Sequence, residues 1–179
     1  IMIEAASEDK FIKEKIFKSM DVFSRKDTIL ASNTSSISIT ELAKVTNKPH
    51  KVIGMHFMNP VPIMRLVEVI KGEETDKHAL DIVKDLSIKM NKKPIECNDS
   101  PGFISNRILM PMINEAIYCL MEGVGTEEAI DGIMHLGMAH PLGPLALADL
   151  IGLDVCHDIL EVLLTDLKND KYAPCPLLT

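Results

Sequence analysis

The segment RLVEVIKG, residues 65–72, has the composition of a buried β-strand that contains one carboxylate. Apolar side chains lie on both sides of Glu68, which indicates a strand that is covered on both of its faces. A carboxylate in such a strand loses its water, so the fold must give Glu68 a cationic or hydrogen-bonding partner. The identity of that partner bears directly on what the protein does.

Length, charge and cysteine content limit the class of protein. The chain has 179 residues, 46% of them hydrophobic, and can bury a core as one large or two small domains. Its net charge of −7 argues against broad nucleic-acid binding, and its apolar runs fall short of the roughly 18 residues of a membrane span. The four cysteines show neither C-x-x-C spacing nor the density of a disulfide scaffold, which predicts a reducing compartment, the cytoplasm.

The first half of the chain alternates between strand and helix patterns. Strands are predicted at 1–6, 28–33, 51–57, 65–72 and 92–98, and helices at 7–24, 39–46 and 75–90. In the first helix, four apolar residues recur at helical spacing, namely Ile12, Ile16, Met20 and Phe23. Strands that alternate with helices predict an α/β domain with a largely parallel sheet.

After Ser100 the strand pattern stops. Ser100 is a good N-cap and Pro101 suits the first helical position, which predicts that a helix begins there. Further helices are predicted at 126–136 and 144–167. The second half is therefore predicted to be an all-α domain, with a domain boundary near 98–100.

A candidate partner for Glu68 is His56, at the end of the preceding strand. The proline-containing link between the two strands, NPVPIM, can set the two side chains next to each other. A carboxylate that holds a histidine fixes its tautomer and stabilises its charged form, as a general base requires. The alternative is a buried structural ion pair without a catalytic role.

Other polar side chains lie where sites form in α/β proteins. Ser35 and Ser36 follow the carboxyl end of a strand, and a hydroxyl there could donate to a substrate oxygen. Asn106 lies early in the helix after Pro101, next to the predicted boundary. Turns, helix caps and ordinary polar positions are the alternative interpretations. Together these residues suggest proton abstraction from a small polar substrate, without naming a reaction.

Two patterns that resemble known motifs are not predicted to be sites. GVGTEE, residues 123–128, follows a helix rather than a strand, so it predicts a helix–helix turn and not a dinucleotide fingerprint. His135 and His140 lack the i, i+4 spacing of helical zinc ligands. No metal site is predicted.

Several motifs together resemble one family. ASNTSS, GMHFMNPVP, LVEV, SPGFISNR and HPLGPLALADLIGLD occur in the order found in the L-3-hydroxyacyl-CoA dehydrogenases. The likeness extends along essentially the whole chain and is greatest to the bacterial 3-hydroxybutyryl-CoA members. It implies a Rossmann-like α/β domain followed by an all-α domain. It also implies an oxidoreductase that interconverts 3-hydroxyacyl-CoA and 3-oxoacyl-CoA with NAD or NADP.

The resemblance implies catalytic roles for four residues. His56 matches the general base that takes the proton of the 3-hydroxyl, and Glu68 matches the carboxylate that orients this histidine. Ser35 matches the residue that contacts both substrate and nicotinamide. Asn106 matches the amide that helps to hold the substrate oxygen.

The resemblance also implies cofactor contacts. Glu8 and Lys13 match an E-x-x-x-x-K pair near the cofactor. Asn59 matches a further cofactor contact, in addition to the contact of Ser35 with the nicotinamide.

One part of the family pattern is not found in this sequence, namely the G-x-G-x-x-G turn with an acidic residue about 20 positions later. The chain also begins at Ile1 inside an apolar run. We therefore expect an internal fragment without the N-terminal nucleotide-binding unit. On this expectation, residues 1–98 are only the C-terminal portion of the NAD(P)-binding Rossmann domain, and residues 99–179 are the helical dimerisation domain.

The expected partners are an acyl-CoA substrate and further copies of the chain, with no nucleic acid and no membrane. Family members pair through the helical domain, and an apolar face is predicted on the last helix at Leu147, Leu150, Ile151, Val155 and Ile159. Two alternatives to the main interpretation are a related hydroxy-acid or sugar-acid dehydrogenase and a truncated, non-catalytic chain.

Overall fold

The computed structural model describes residues 1–178, which form two compact units. The first unit, Ile1–Phe103, contains a β-sheet with helices, and the second begins at Ile104 and is helical. Among residues 1–178, no helix combines the length and the apolar character that crossing a bilayer would need.

The first unit is built on a sheet of five strands in the order β1-β2-β3-β4-β5. The strands are β1 (Met2–Glu4), β2 (Leu30–Ser32), β3 (Val52–Phe57), β4 (Leu66–Lys71) and β5 (Lys93–Asn98). Strands β1, β2 and β3 pair in parallel, as do β4 and β5, whereas β3 and β4 are antiparallel. The antiparallel pair is possible because a short link, rather than a crossover helix, joins β3 to β4.

Three helices complete the first unit, namely α1 (Lys10–Phe23), α2 (Ile39–Lys44) and α3 (Lys77–Lys89). Each begins with a side-chain cap, because Asp9, Ser38 and Asp76 each accept a hydrogen bond from an amide of the first turn. The helix starts are therefore encoded locally in the sequence.

The apolar repeat predicted for α1 marks its buried face only in part, since Met20 is buried and Ile16 packs against the same cluster. Phe17 and Met20 are buried together with Lys13, whereas Ile12 and Phe23 are exposed. The lysine can be buried because its ammonium group has acidic partners inside the unit. A hydrophobic pattern alone cannot reveal a charged residue that is buried by pairing.

Strand β4 is covered on both faces, as the segment 65–72 predicts. Ile70 packs in a cluster with residues of α1 and α2, while Val67 and Val69 pack in a second cluster with residues of α3. Successive side chains of a strand point to opposite faces, so the two clusters cover the two sides of β4. Glu68 is consequently removed from water.

The second unit consists of α4 (Ser105–Met121), α5 (Glu127–Met138), α6 (Pro144–Ile151) and α7 (Leu153–Leu167), followed by short 3₁₀ turns at Asp170–Tyr172 and Pro176–Leu178. Its core joins α4, α6 and α7 and includes Met110, Ile113, Leu145, Leu160 and Leu163. The unit therefore has an apolar core of its own.

Two helix boundaries differ from those predicted. Helix α4 begins at Ser105 and not at Pro101, because Gly102 and Phe103 have φ angles of 70° and 49°, which a right-handed helix cannot contain. The single helix predicted over 144–167 is two helices, because Gly152 has a φ of 106° and interrupts the helical path.

Gly54 of β3 gives a test of the close packing beside β4. A Cβ atom at this position would lie 2.7 Å from Cβ of Ile70 and 3.0 Å from Cδ1 of Ile39. We expect Gly54→Ala to lower the free energy of unfolding by about 1–3 kcal/mol, because strand and helix must move apart. Thermal unfolding followed by circular dichroism measures the change.

Gly132 of α5 supplies the control, because a methyl group there would meet open space. Gly132→Ala is expected to stabilise the protein by about 0.5–1 kcal/mol, since alanine favours a helix interior over glycine. An unchanged or raised melting temperature for Gly54→Ala would contradict the close packing.

Candidate active site

His56 and Glu68 lie directly opposite each other on the antiparallel strands β3 and β4. The Nδ1 atom of His56 is 2.8 Å from Oε2 of Glu68, and the two residues are only 6% and 4% exposed. His56 is thus the partner that the buried carboxylate requires. Both side chains come from the sheet, so ladder hydrogen bonds on either side hold their spacing.

This arrangement determines which ring nitrogen of His56 can act on another molecule. An ionised carboxylate can only accept a hydrogen bond, so the N–H group at Nδ1 donates one to Glu68 and Nε2 is the nitrogen that can accept a proton. When Nε2 takes a proton, the carboxylate stabilises the imidazolium that forms. The ring of Phe103 packs against the imidazole at 5.8 Å between centroids and helps to fix its orientation. The geometry is that of a general base.

Ser35 lies half-buried in the loop that follows β2, and Glu8 anchors this loop. The Oε1 atom of Glu8 accepts hydrogen bonds from the amides of Ser35 and Ser36 at 2.8 and 2.9 Å, and from the hydroxyls of Thr34 and Ser36 at 2.5 and 3.0 Å. Burial alone would raise the pKa of Glu8, but these bonds and the charge of Lys13 outweigh it and hold the pKa below its ordinary value. Glu8 is therefore ionised while it holds the loop.

Lys13 is buried in α1 with its ammonium group between two carboxylates. Its Nζ lies 2.8 and 2.9 Å from the two oxygens of Glu4 and 3.5 Å from Oε2 of Glu8. The structure thus brings Glu8 and Lys13 together, as an E-x-x-x-x-K pair implies, and adds Glu4, which sequence reasoning missed. A signal was present, because Glu4 is a carboxylate at the end of an apolar strand, as Glu68 is within one.

Asn33 is a second residue that sequence reasoning missed. Its Oδ1 accepts a hydrogen bond from the amide of Phe57 at 2.9 Å, and Phe57 directly follows His56. The bond ties the loop that carries Ser35 to the strand end that carries His56. It brings the two predicted site residues into one part of the first unit.

Asn59 is exposed in the link between β3 and β4. Lys92 fixes this link, because its ammonium group donates hydrogen bonds to the carbonyl oxygen of Met64 at 2.8 Å and to that of Val61. Sequence reasoning did not identify Lys92, since a lysine before a strand carries no local signal. The contact of Asn59 with a cofactor stays a prediction.

Asn106 belongs to the second unit, where it lies half-buried in the first turn of α4. The other predicted site residues lie in the first unit, namely His56, Glu68, Ser35, Glu8, Lys13 and Asn59. The catalytic and cofactor-binding roles of all seven residues stay predictions.

The pKa of Glu8 leads to a test of its anchoring role. A carboxyl group whose pKa is lowered on folding adds stability that is present above its ordinary value of 4.5 and is lost as the pH falls through the folded-state value. We expect Glu8→Gln to lower the melting temperature by a few degrees at pH 7. The difference from wild type should shrink below pH 4.5, and a difference that is constant with pH would contradict the anchoring role.

Family models match both units of the chain. The model described as 3-hydroxyacyl-CoA dehydrogenase, NAD binding domain, matches residues 1–100, and that described as 3-hydroxyacyl-CoA dehydrogenase, C-terminal domain, matches residues 102–179. The two matches together extend over nearly the whole sequence.

Individual relatives are similar over the same region. The chain is 60% identical to the probable 3-hydroxybutyryl-CoA dehydrogenase of Bacillus subtilis (strain 168), covering 99% of this chain and 62% of the relative. It is 55% identical to the 3-hydroxybutyryl-CoA dehydrogenase of Clostridioides difficile, covering 99% and 63%. The crystal structure of (S)-3-hydroxybutyryl-CoA dehydrogenase from Ralstonia eutropha matches with a TM-score of 0.96 and 52% identity, covering 98% and 62%. The chain thus spans about three fifths of the length of these relatives.

These matches correct one expectation. Residues 1–98 were expected to be only the C-terminal part of a Rossmann domain, in a fragment without the N-terminal unit, and this is wrong because the NAD-binding domain model matches residues 1–100. The expectation relied on a missing glycine motif and on the first residues of the chain, whereas the family model matches residues 1–100. With its NAD-binding domain followed by the helical C-terminal domain, the chain belongs to the 3-hydroxyacyl-CoA dehydrogenase family.

Proposed function

We propose that the whole protein is an oxidoreductase that interconverts 3-hydroxyacyl-CoA and 3-oxoacyl-CoA, with 3-hydroxybutyryl-CoA as the substrate. The observation that carries the proposal is the buried bond of 2.8 Å between His56 and Glu68, which prepares Nε2 to take a proton. The relatives named 3-hydroxybutyryl-CoA dehydrogenases support the choice of substrate.

The residues of the first unit are suited to a nicotinamide cofactor. The family model for an NAD-binding domain matches this unit. The exposed amide of Asn59 and the half-buried hydroxyl of Ser35 are groups of the kind that hydrogen-bond ribose and carboxamide oxygens. The carboxylate of Glu8, paired with the ammonium group of Lys13, contacts the backbone of the loop that carries Ser35. NAD or NADP, when bound, accepts or supplies the hydride.

Residues of the chain itself carry out the proton transfer. In the oxidation direction, Nε2 of His56 removes the proton of the 3-hydroxyl while Glu68 stabilises the resulting imidazolium. In the reduction direction, the protonated His56 donates to the carbonyl oxygen of the substrate. Ser35 donates a hydrogen bond to the same oxygen and stabilises the charge that develops on it, and the family resemblance implies Asn106 as a further donor to the substrate.

Glu68→Gln tests the catalytic role of the pair. The amide keeps the size of the side chain but cannot stabilise an imidazolium, so we expect kcat of the whole protein to fall about 1,000-fold or more. The rate of NADH or NADPH oxidation with the 3-oxobutyryl thioester of CoA measures the change, and circular dichroism checks the fold.

Glu96→Gln is the matched control. Glu96 is also a strand carboxylate, but it pairs at the surface with Lys71 and Lys84, which lower its pKa to about 2. Its variant should retain turnover near that of wild type. If Glu68→Gln remains within a few-fold of wild type, the proposed role of the pair is wrong, and if the wild-type protein does not turn over the thioester, the proposed substrate is wrong.

We further propose that the protein works as a homo-oligomer in the cytoplasm. The cytoplasm is supported by four cysteines that are all free thiols. Association through the helical unit is supported by exposed large apolar side chains, among them Leu136 on α5 and Leu150 on α6. Of the face predicted from sequence, Leu147, Ile151 and Ile159 pack against the core of the unit, whereas Leu150 and Val155 are exposed.

Sedimentation velocity of the whole protein at micromolar concentration tests the oligomer. We expect wild type to sediment as a dimer or larger, and Leu136→Glu combined with Leu150→Glu to weaken association, because charges at an apolar contact lose their water. Ile88→Glu on α3, an exposed apolar position of the first unit, is the control. A wild-type monomer would contradict the proposal.

A further inference from the structure

We propose that Glu4 is a positioning residue for the reaction, which it serves by fixing Lys13 and, through Lys13 and Glu8, the backbone at Ser35. The inference rests on the proposed function, because it assigns to Glu4 the task of placing a residue that contacts the substrate. Glu4 lies outside the set of site residues that the family resemblance implies.

Glu4 lies at the point where three parts of the first unit meet. It is the last residue of β1 and is 3% exposed. Its Oε2 accepts a hydrogen bond from the hydroxyl of Ser32 in β2 at 2.7 Å, and its Oε1 accepts one from the amide of Ala6 at 2.5 Å. Both oxygens contact the ammonium group of Lys13 in α1. Partners in β2, in α1 and in the segment after β1 therefore hold the carboxylate.

Lys13 connects Glu4 to Glu8. The ammonium group lies between the carboxylate of Glu4 and Oε2 of Glu8, and it also donates to the carbonyl oxygen of Ala6 at 3.1 Å. The two carboxylate oxygens of Glu8 have different partners. Oε2 faces Lys13, and Oε1 accepts hydrogen bonds from the amides of Ser35 and Ser36. A chain of charge-assisted bonds thus runs from the end of β1 to the backbone of Ser35.

The backbone gives Glu4 a second connection to the same loop. Its carbonyl oxygen accepts a hydrogen bond from the amide of Asn33 at 2.8 Å. The side chain of Asn33 in turn holds the amide of Phe57, next to His56. Glu4 is therefore linked both to the loop of Ser35 and to the strand end of His56.

A contribution to stability alone does not account for a buried ion pair at this position. Desolvation of two charges offsets most of their attraction, so apolar residues of similar size often give equal or greater stability. The pair does provide direction, because ion–ion hydrogen bonds hold their partners at defined distances and angles. A displacement of about 1 Å at a substrate contact can lower a rate about 100-fold. Placement of Ser35 is the consequence that the bonding pattern supports.

A double-mutant cycle tests the inference in the whole protein. Glu4→Gln, Ser35→Ala and the double variant are compared for kcat and KM with the 3-oxobutyryl thioester of CoA. We expect Glu4→Gln to lower kcat about 10- to 100-fold in the wild-type background. In the Ser35→Ala background the same change should cost less than about threefold, because residues that act through one another are not additive.

Hydrogen–deuterium exchange resolved to residues 33–38 supplies a readout that does not depend on turnover. Glu4→Gln should accelerate exchange in this segment about tenfold or more, while exchange in β3 stays unchanged. The Glu96→Gln variant should alter neither exchange nor turnover. If wild type does not turn over the thioester, the proposed function fails, and exchange at 33–38 alone then decides whether Glu4 positions the loop.

Two results would overturn the inference. The first is equal factors of kcat loss in both backgrounds, which would mean that Glu4 acts independently of Ser35. The second is unchanged exchange at 33–38. If Glu4→Gln does not fold, because it leaves Lys13 with too little opposing charge, Glu4→Asp keeps the charge, withdraws it from Lys13, and is judged by the same two measurements.

Discussion

The antiparallel pairing of β3 with β4 is the constraint on which the candidate site depends. It places His56 directly opposite Glu68, so the register of the sheet sets the distance between the proposed base and its carboxylate partner. A shift of one residue would turn Glu68 to the other face of the sheet and separate the pair. The close approach of Gly54 to Ile70 in the same strand pair fixes that register by packing. The packing of the first unit and the proposed chemistry therefore depend on the same two strands.

Three carboxylates organise the rest of the first unit, of which Glu4 and Glu68 are buried and Glu8 is partly exposed. Glu68 holds a histidine, Glu4 holds Lys13, and Glu8 holds the loop that carries Ser35. The two buried carboxylates are each matched by donors that compensate for their lost hydration, which is the condition under which a charge can remain inside a protein. The apolar clusters on the two sides of β4 supply stability. The carboxylates hold their partners at defined distances and angles at the end of the sheet where the predicted site residues of the first unit lie.

The sequence predicts the order of strands and helices in the first unit, because apolar strands and helix caps are local signals. The burial of Lys13 in α1 and the role of Asn33 could not be predicted, since each depends on partners brought together by the fold. Glu4 carried a signal, as a carboxylate at the end of an apolar strand, but the sequence did not identify Lys13 as its partner. The start of α4 and the break at Gly152 depend on backbone angles that side-chain patterns do not reveal. The pairing of His56 with Glu68 could be predicted from the sequence, because a carboxylate inside an apolar strand needs a partner. The truncated Rossmann domain was inferred from a missing motif and from the first residues of the chain, which carried less information than the residues of the whole unit.

The most direct test of the account is a crystal structure of the whole protein with NAD and 3-hydroxybutyryl-CoA bound, trapped by the Glu68→Gln substitution. We expect Nε2 of His56 to lie about 2.6–3.2 Å from the 3-hydroxyl oxygen of the substrate, within reach of its proton. Nδ1 should remain bonded to residue 68. A 3-hydroxyl group held by other residues, with Nε2 facing only protein atoms, would contradict the account and leave the pair with a structural role.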